Sequence, residues 1–189
     1  RDYDVGLHAV TNFPPPGSRH GPLARSLRQL RFDRDEFQLA PQIQSRIAFP
    51  DCSLAFSNDP GMLESQLSEQ FPAEIDGFAR LLDGLPDYDD LDESRYARSA
   101  REVLESCIRD PLLREMLLCP LMWYGNARQD DMDYAQFVIM FRSIFLEGFA
   151  RPHEGVRLIL RKLVRRFKKL GGELMLRSGV KKIELDEGR

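Results

Sequence analysis

Residues that start and stop helices divide the middle of this 189-residue chain into short segments. Asp59 precedes Pro60, a pair typical of a helix that has a carboxylate cap and proline at its first position. A second helix is predicted to begin at Pro72. Far along the chain, Gly171 and Gly172 end a long basic segment, because glycine accepts the left-handed conformation of a helix stop. The pattern predicts a helical middle made of several helices.

Short apolar runs towards both ends of the chain predict strands. RDYDVGLHAV at the start is typical of a buried strand, in which Gly6 allows a backbone or ligand to approach closely. The runs 43–49 and 53–57 meet at a Pro-Asp-Cys turn and predict a hairpin. GELMLRSGVKKIEL near the end predicts two more strands around its Arg-Ser-Gly turn. Further helices are predicted at about 21–32, 96–109, 111–118, 133–149 and 154–170. The predicted class is α+β, mostly helical with a small mixed or antiparallel sheet.

Composition excludes several classes of protein. The chain is 42% hydrophobic and 30% charged, which suits a folded domain with a core, and no window reaches the ~18 apolar residues of a membrane span. A net charge of −3 gives no reason to expect nucleic-acid binding. Three cysteines and three histidines are scattered, which fits neither a disulfide framework nor a zinc site. We expect no metal, and a reducing, cytoplasmic compartment.

Two helices allow both a structural and a functional interpretation. The basic helix at 154–170 interleaves arginine and lysine with apolar residues, so it either packs one stripe on the protein or lies on an anionic membrane surface. The helix at 133–149 carries Phe137, Phe141 and Phe145 on one stripe, together with many other apolar residues. Packed core is the default for this helix. The alternative is one wall of an apolar pocket, to which Trp123 and Tyr124 just upstream would contribute.

No complete active site is readable from the sequence. The serines lie outside any nucleophile elbow, and the histidines lack metalloprotease spacing. The glycine pair at 171–172 follows a helix, whereas an anion site needs glycines that precede one. The acidic segment LPDYDDLDES lacks the glycine and final glutamate of a calcium loop, and a helix-capping role for Ser94 or a nearby aspartate is the expectation there.

Three stretches occur in an order found in one family of flavoproteins. YDVGLHAV resembles the segment after the nucleotide-binding motif of phytoene desaturases, carotenoid isomerases and retinol saturases, in the amine oxidase superfamily. The stretch from FQLAPQIQ to RLLDGL resembles the family's next block, a hairpin, a helix opening at Asp-Pro, an FP-x-E segment and a second helix. RPHEGVRLILRKLVRRFKKLGGELMLRSGVKKIEL is similar to the family's P-x-G-G helix, Gly-Gly break and x-V-x-x-I strand. Glu154 replaces the first glycine of that motif, and Cys52 stands where a turn glycine is common.

The resemblance implies an internal piece of a larger flavoprotein, inserted in a Rossmann-like FAD-binding domain that lies outside these residues. Residues 1–10 would border that domain, 11–170 would form the substrate-binding domain, and 171–189 would return to the FAD domain. Its implied cofactor-binding residues are Asp4, Gly6, His8 and Val180. The substrate-binding residues are expected to be Trp123, Tyr124, Phe137, Phe141, Phe145, Pro152 and Gly155.

The function implied is an FAD-dependent oxidoreductase that desaturates, saturates or isomerises an apolar polyene, with NAD(P) as a class of electron partner. A flavin amine oxidase-like activity is the alternative enzyme. The alternative from another class is a non-catalytic helical module that binds a partner or a membrane surface. The chain alone is not expected to bind FAD, because it lacks a phosphate-binding glycine loop. We expect the protein to bind an apolar small molecule and not nucleic acid. Peripheral contact with a membrane and self-association through the end strands stay open as further interactions.

Overall fold

The computed structural model describes residues 9–11, 20–86, 98–123 and 128–184. These residues form an α+β fold, as the sequence predicts. The seven helices are α1 (Pro22–Gln29), α2 (Pro60–Gln70), α3 (Ile75–Asp83), α4 (Ala100–Cys107), α5 (Pro111–Met122), α6 (Tyr134–Phe141) and α7 (Val156–Lys169). The four strands are β1 (Leu39–Pro41), β2 (Ser45–Ala48), β3 (Ser53–Phe56) and β4 (Ala150–Pro152). Two 3₁₀ turns cover Arg34–Phe37 and Pro72–Glu74.

The strands form two small antiparallel sheets. The predicted hairpin is confirmed, with β2 paired to β3 and Ile47 opposite Leu54, both buried. The second sheet pairs β1 with β4, which come from distant parts of the chain. Val10 adds a single bridge to Ala150 on β4. The end of the first predicted strand therefore lies against β4, while residues 1–8 lie outside the described residues.

Helix caps follow the sequence signals closely. Asp59 caps α2 by accepting the N–H of Gly61 at 3.0 Å. Helix α4 begins later than predicted, because its cap is Ser99, which accepts the N–H of Glu102 at 3.0 Å. The carboxylate of Asp131 accepts the preceding N–H of the same turn, from Arg101, at 3.0 Å. The predicted capping residue Ser94 lies outside the described residues.

Two helices differ from their predicted lengths. Helix α5 continues to Met122 and includes Pro120, which lies in its last turn. Helix α6 does not run regularly to 149, because residues Arg142–Leu146 form a π-helical turn. This wider turn shifts the side chains that follow it and brings the chain to Gly148, where φ is +80°. From there the chain enters β4.

The core lies between the hairpin and helices α2 to α6. Its fully buried side chains come from every one of these elements; the largest are Phe137, Phe141, Phe145, Leu54, Leu63, Leu67, Leu81, Leu104, Ile108, Leu113, Met116 and Leu117. By contrast, neither α1 nor α7 contains a buried residue. The molecule therefore has one packed helical core and a more exposed side formed by α1, the residue 34–37 turn and α7.

The two strands predicted around 177–179 are not formed. Residues 173–184 have no strand pairing, and their apolar side chains are largely exposed. Val180, predicted to lie in a strand facing FAD, is 80% exposed. The predicted glycine stop of α7 is confirmed, since Gly171 takes φ of +88°. A strand needs a partner for its backbone groups, and the described residues offer none to this segment.

Candidate functional site

Two segments that carry the flavoprotein resemblance meet at β4. The N–H of Val10 donates to the carbonyl of Ala150 at 2.7 Å, and the N–H of Ala150 donates back to Val10 at 2.9 Å. Beyond Ala150, the chain reaches Pro152 and Gly155, which are both buried. The end of YDVGLHAV and the start of RPHEGV are thus adjacent in space. Asp4, Gly6 and His8 lie outside the described residues.

The turn into α7 has a backbone shape that suits glycine. Gly155 caps the helix with φ of +73°, and its N–H donates to the carbonyl of Pro152 at 2.8 Å. A side chain in this conformation would be strained, so glycine lets another group approach the backbone closely. Glu154, which departs from the family pattern, forms an ion pair with Arg161 on the first turns of α7.

Asn58 fixes the entry into β4. Its side-chain amide donates to the carbonyl of Phe149 at 2.8 Å, and its side-chain oxygen accepts the Phe149 N–H at 2.7 Å. The side chain therefore bonds both backbone groups of Phe149, whose carbonyl also accepts the N–H of Gln42 at 3.0 Å. The neighbouring Gly148 has no room for a methyl group, because a Cβ there would lie 2.1 Å from the Asn58 side-chain oxygen.

The predicted substrate-binding phenylalanines pack against one another inside the core, with their rings tilted. The ring centroids of Phe137 and Phe141 are 5.3 Å apart, and those of Phe141 and Phe145 are 4.9 Å apart. Phe145 also meets Phe56 on β3 edge-on at 5.0 Å. All three residues of this row are at most 1% exposed. Their packing is that of a continuous aromatic core across α6 and the π-helical turn.

Trp123 does not join this row. It lies at the end of α5 and is 83% exposed. Tyr124, its predicted companion, lies outside the described residues. Pro152 and Gly155 belong to the turn before α7 rather than to the aromatic core. The structure therefore separates the predicted substrate-binding residues into an aromatic row, an exposed tryptophan and a turn beside β4.

A cleft of about 180 Å³ lies between α7 and the 34–37 turn, which the sequence did not predict as a site. Its aromatic residue is Phe32 and its one carboxylate is Glu36. Four cations complete it, all from α7: Lys162, Arg165, Arg166 and Lys169. The Arg166 guanidinium lies over the Phe32 ring at 5.6 Å from its centroid. We call this group of six residues the cationic cleft.

Glu36 joins the two sides of the cationic cleft. One carboxylate oxygen accepts a hydrogen bond from the N–H of Asp33 at 3.0 Å. The other accepts a hydrogen bond from the ammonium of Lys162 at 3.1 Å. The hydrogen bond from Asp33 and then that from Lys162 lower the pKa of Glu36, and the charge of Arg166 adds to the effect. The spacing of Asp33 and Glu36 is a capping-box pattern. That local signal was present in the sequence, but the contact with a lysine 126 residues away was not readable.

A second charged group is structural. Arg101 on α4 contacts the carboxylate of Glu115 on α5 and donates twice to the carbonyl of Asp130, at 2.7 and 3.0 Å. The hydrogen bond with Glu115 raises the pKa of Arg101, and the charges of Glu115, Asp131 and Glu105 add to the effect against the lowering by burial. Burial alone would raise the pKa of Asp131, but hydrogen bonds from the Arg101 N–H, the Ser99 hydroxyl and the Met132 N–H lower it. The group ties the loop before α6 to α4 and α5.

The comparisons with known proteins add no relative. No protein-family model matches the chain, and no curated protein matches it. The resemblance to phytoene desaturases therefore stays a prediction. Within the described residues, no cluster of histidine, cysteine or carboxylate side chains could hold a metal ion. None of the described helices is both long enough and apolar enough to cross a membrane.

Proposed function

We propose that this chain is the substrate-binding part of an FAD-dependent oxidoreductase similar to phytoene desaturases, acting on an apolar polyene. The observation that carries the proposal is the pairing of Val10 with Ala150. The resemblance implies that the segment ending at Val10 borders the FAD domain, and that Pro152 and Gly155, just after Ala150, bind substrate. Val10 and Ala150 are 140 residues apart in sequence, and their pairing brings these two segments together, as an enzyme that holds its substrate beside a flavin requires.

The turn beside this pair fits one part of a flavin border. Gly155 is buried and in a left-handed conformation, so a cofactor could approach its backbone without a side chain intervening. Glu154, the residue that departs from the family pattern, has its carboxylate in an ion pair with Arg161. Bound FAD would carry the hydride chemistry, while these residues would orient it and limit water. The phosphate-binding loop would have to come from residues outside this chain.

The proposal is tested on the complete gene product. We expect a yellow protein that releases flavin on denaturation and changes the absorbance of an added polyene as its conjugation changes. Upstream of residue 1 we expect a strand, G-x-G-x-x-G and a helix. A colourless protein without that motif would contradict the proposal.

Two glycine variants of the complete protein locate the border. Gly155→Ala and Gly171→Ala introduce the same side chain at φ of +73° and +88° respectively. Gly155 precedes α7 and Gly171 follows it. A Cβ on Gly171 would meet no atom within 4 Å. We expect Gly155→Ala to lower the flavin content per protein, and Gly171→Ala to leave it unchanged. Equal losses would mean that the helix, and not the turn, determines the flavin content.

The 189-residue chain is itself a control. We expect it to show no saturable FAD binding at micromolar concentrations when flavin fluorescence is followed, because it has no glycine-rich loop opening a helix. Micromolar binding would show that the cofactor is held by residues of this chain, and the division into domains would have to be redrawn.

The exposed side of the molecule favours one alternative function, a non-catalytic interaction module. Helices α1 and α7 contain no buried residue, and Phe167 and Leu170 on the α7 side are 48% and 78% exposed. In the flavoprotein this side would be covered by the nucleotide domain. In an interaction module it would be covered by a partner. Flavin content of the complete protein decides between these two.

A further inference from the structure

We propose that the cationic cleft binds a phosphate group. The inference rests on the described residues of this chain and is independent of the flavoprotein proposal. Its four cations and one carboxylate give the cleft a net charge of +3, in a chain whose net charge is −3. The positive charge is therefore concentrated at this place and does not reflect a generally basic protein. A concave group of cations attracts anions and raises their local concentration.

The four cations share one face of α7. Lys162 lies three and four residues before Arg165 and Arg166, which lie four and three residues before Lys169, so each of these pairs is adjacent on the helix surface. Like charges at these spacings destabilise a helix. A bound dianion would remove this repulsion, and among the described residues Lys162 is the cation of the cleft that forms an ion pair, with Glu36. Arg165, Arg166 and Lys169 have no ion-pair partner in the part of the chain that the structure describes.

The cleft also holds two of its cations in place. The Phe32 ring supports the guanidinium of Arg166 at 5.6 Å, and Glu36 holds the ammonium of Lys162 at 3.1 Å. Such contacts reduce the conformational freedom that a ligand would have to fix on binding. A guanidinium held by an aromatic ring keeps its planar edge of N–H donors for a bidentate contact with phosphate. Phosphate therefore fits better than a single-point anion such as chloride.

The size of the cleft limits the ligand. About 180 Å³ is below the roughly 300–1,000 Å³ of pockets that enclose drug-sized molecules. The cleft can thus surround a phosphate or diphosphate, while the rest of the ligand would lie outside. Two sources share this chemistry: a soluble phosphate compound and a lipid headgroup.

The helix dipole does not account for the whole arrangement. Cations in the last turn of a helix are favourable, which covers Arg166, Lys168 and Lys169. It does not explain why Lys162 and Arg165, in the turn before the last, also line the cleft. It also predicts equal contributions from Lys168 and Lys169. The phosphate proposal predicts that these two neighbours differ.

The test uses this difference on the 189-residue chain, with inorganic pyrophosphate as the probe in calorimetric titrations. Lys169→Gln removes a cleft cation, and Lys168→Gln removes the same charge from the same helical turn but outside the cleft. We expect Arg165→Gln combined with Lys169→Gln to weaken pyrophosphate binding about tenfold or more, the effect of losing one charge-assisted hydrogen bond or more. Lys168→Gln should change the Kd by less than about twofold, as expected for a screened remote charge.

Two further measurements keep the result interpretable. Lys169→Arg should retain binding, and the thermal midpoints of Lys168→Gln and Lys169→Gln should agree, because both side chains are exposed.

Vesicles of phosphatidylcholine, with and without phosphatidic acid, test the lipid source. Binding of pyrophosphate alone would support a soluble phosphate ligand, and binding of phosphatidic acid vesicles alone would support a headgroup. Absence of binding in both arms, or equal losses in the Lys168 and Lys169 variants, would overturn the proposal.

Discussion

At the scale of single residues, Phe141 shows what a side chain in the aromatic row contributes. It is fully buried, with Phe137 at 5.3 Å, Phe145 at 4.9 Å and Phe78 on α3 at 6.4 Å between ring centroids. A ring surrounded in this way leaves a cavity when it is truncated. The contacts favour the packed-core interpretation of the helix over the pocket wall.

We therefore predict that Phe141→Ala lowers the free energy of unfolding by about 3–5 kcal/mol, as for a packed core phenylalanine. Denaturant unfolding measures the change. Phe167→Ala is the matched control, since that ring is 48% exposed and its loss should cost much less. A loss below about 2 kcal/mol at Phe141 would indicate free space beside the ring, as in a substrate channel. Altered preference among polyenes of different length in the complete protein would then be expected as well.

The lowered pKa of Glu36 predicts that the stability of the protein depends on pH. Its pKa is lower in the folded state, so its stabilising contribution is present above the unfolded-state pKa and is lost as the pH falls through the folded-state value. We expect Glu36→Gln to destabilise the protein at pH 7, and the difference from the natural sequence to shrink at about pH 3. A double-mutant cycle with Lys162→Met checks the cause, because the coupling should disappear over the same range. A coupling that does not change with pH would contradict this account.

At the scale of elements, the entry into β4 depends on Asn58 and Gly148 acting together. A methyl group on Gly148 would contact three atoms of the Asn58 side chain, at 2.1, 2.3 and 2.8 Å. It would also have to adopt φ of +80°. The side chain that bonds both backbone groups of Phe149 is thus the same one that requires glycine at 148.

We predict that Gly148→Ala lowers stability by more than about 2 kcal/mol, because the left-handed conformation alone costs ~1–2 kcal/mol. Asn58→Gly should cost about 1–3 kcal/mol for its two lost hydrogen bonds. In the Asn58→Gly background, Gly148→Ala should cost only the conformational part. Unfolding of the two single variants and the double variant gives the coupling. Additive costs would show that the side chain and the glycine act separately.

The elements that the sequence predicted are those with local signals. Asp59 caps α2 with its side chain and Pro60 occupies the first position of the helix, and the hairpin joins neighbouring strands. The sheet of β1 and β4 gave no such signal, since each strand has three residues and its partner lies over 100 residues away. The strands predicted around 177–179 had short apolar runs but no partner among the described residues, so the runs alone did not form them.

The candidate sites follow the same rule. The burial of Phe137, Phe141 and Phe145 could be predicted from helical spacing, because packing on one stripe is local. The π-helical turn after Phe141 could not, since it differs from an α-helix by one residue in its hydrogen bonding. The cationic cleft could not be predicted, because it depends on the contact between Glu36 and Lys162. These residues are 126 positions apart in sequence and meet only in the folded chain.

At the scale of the whole molecule, apolar surface is distributed unevenly. The core between the hairpin and α6 is densely buried, whereas apolar side chains after α7 are exposed. Leu170, Met175, Leu176, Val180 and Ile183 are each 73–80% exposed. Such a group of exposed apolar residues is typical of a surface that another chain or domain covers.

We predict that the 189-residue chain self-associates through this segment, as measured by light scattering over a range of concentrations. Leu176→Glu combined with Ile183→Glu should reduce the association. Ile43→Glu is the control, because Ile43 is 93% exposed but lies beside β2, in another part of the chain. A monodisperse monomer, or an equal effect of the control, would contradict this prediction. The predicted role of residues 3–8 in association stays a prediction.

The absence of buried residues on α7 has a consequence for amide hydrogen exchange. Opening this helix would expose less apolar surface than global unfolding, so its exchange should depend less on denaturant than that of α5, whose amides should exchange through global unfolding. A 14-residue helix is only marginally stable by itself, so α7 relies on contacts such as Glu36 with Lys162. An anion in the cationic cleft would slow exchange in α7 and leave α5 unchanged, because ligand binding would act on a unit that opens independently of the core.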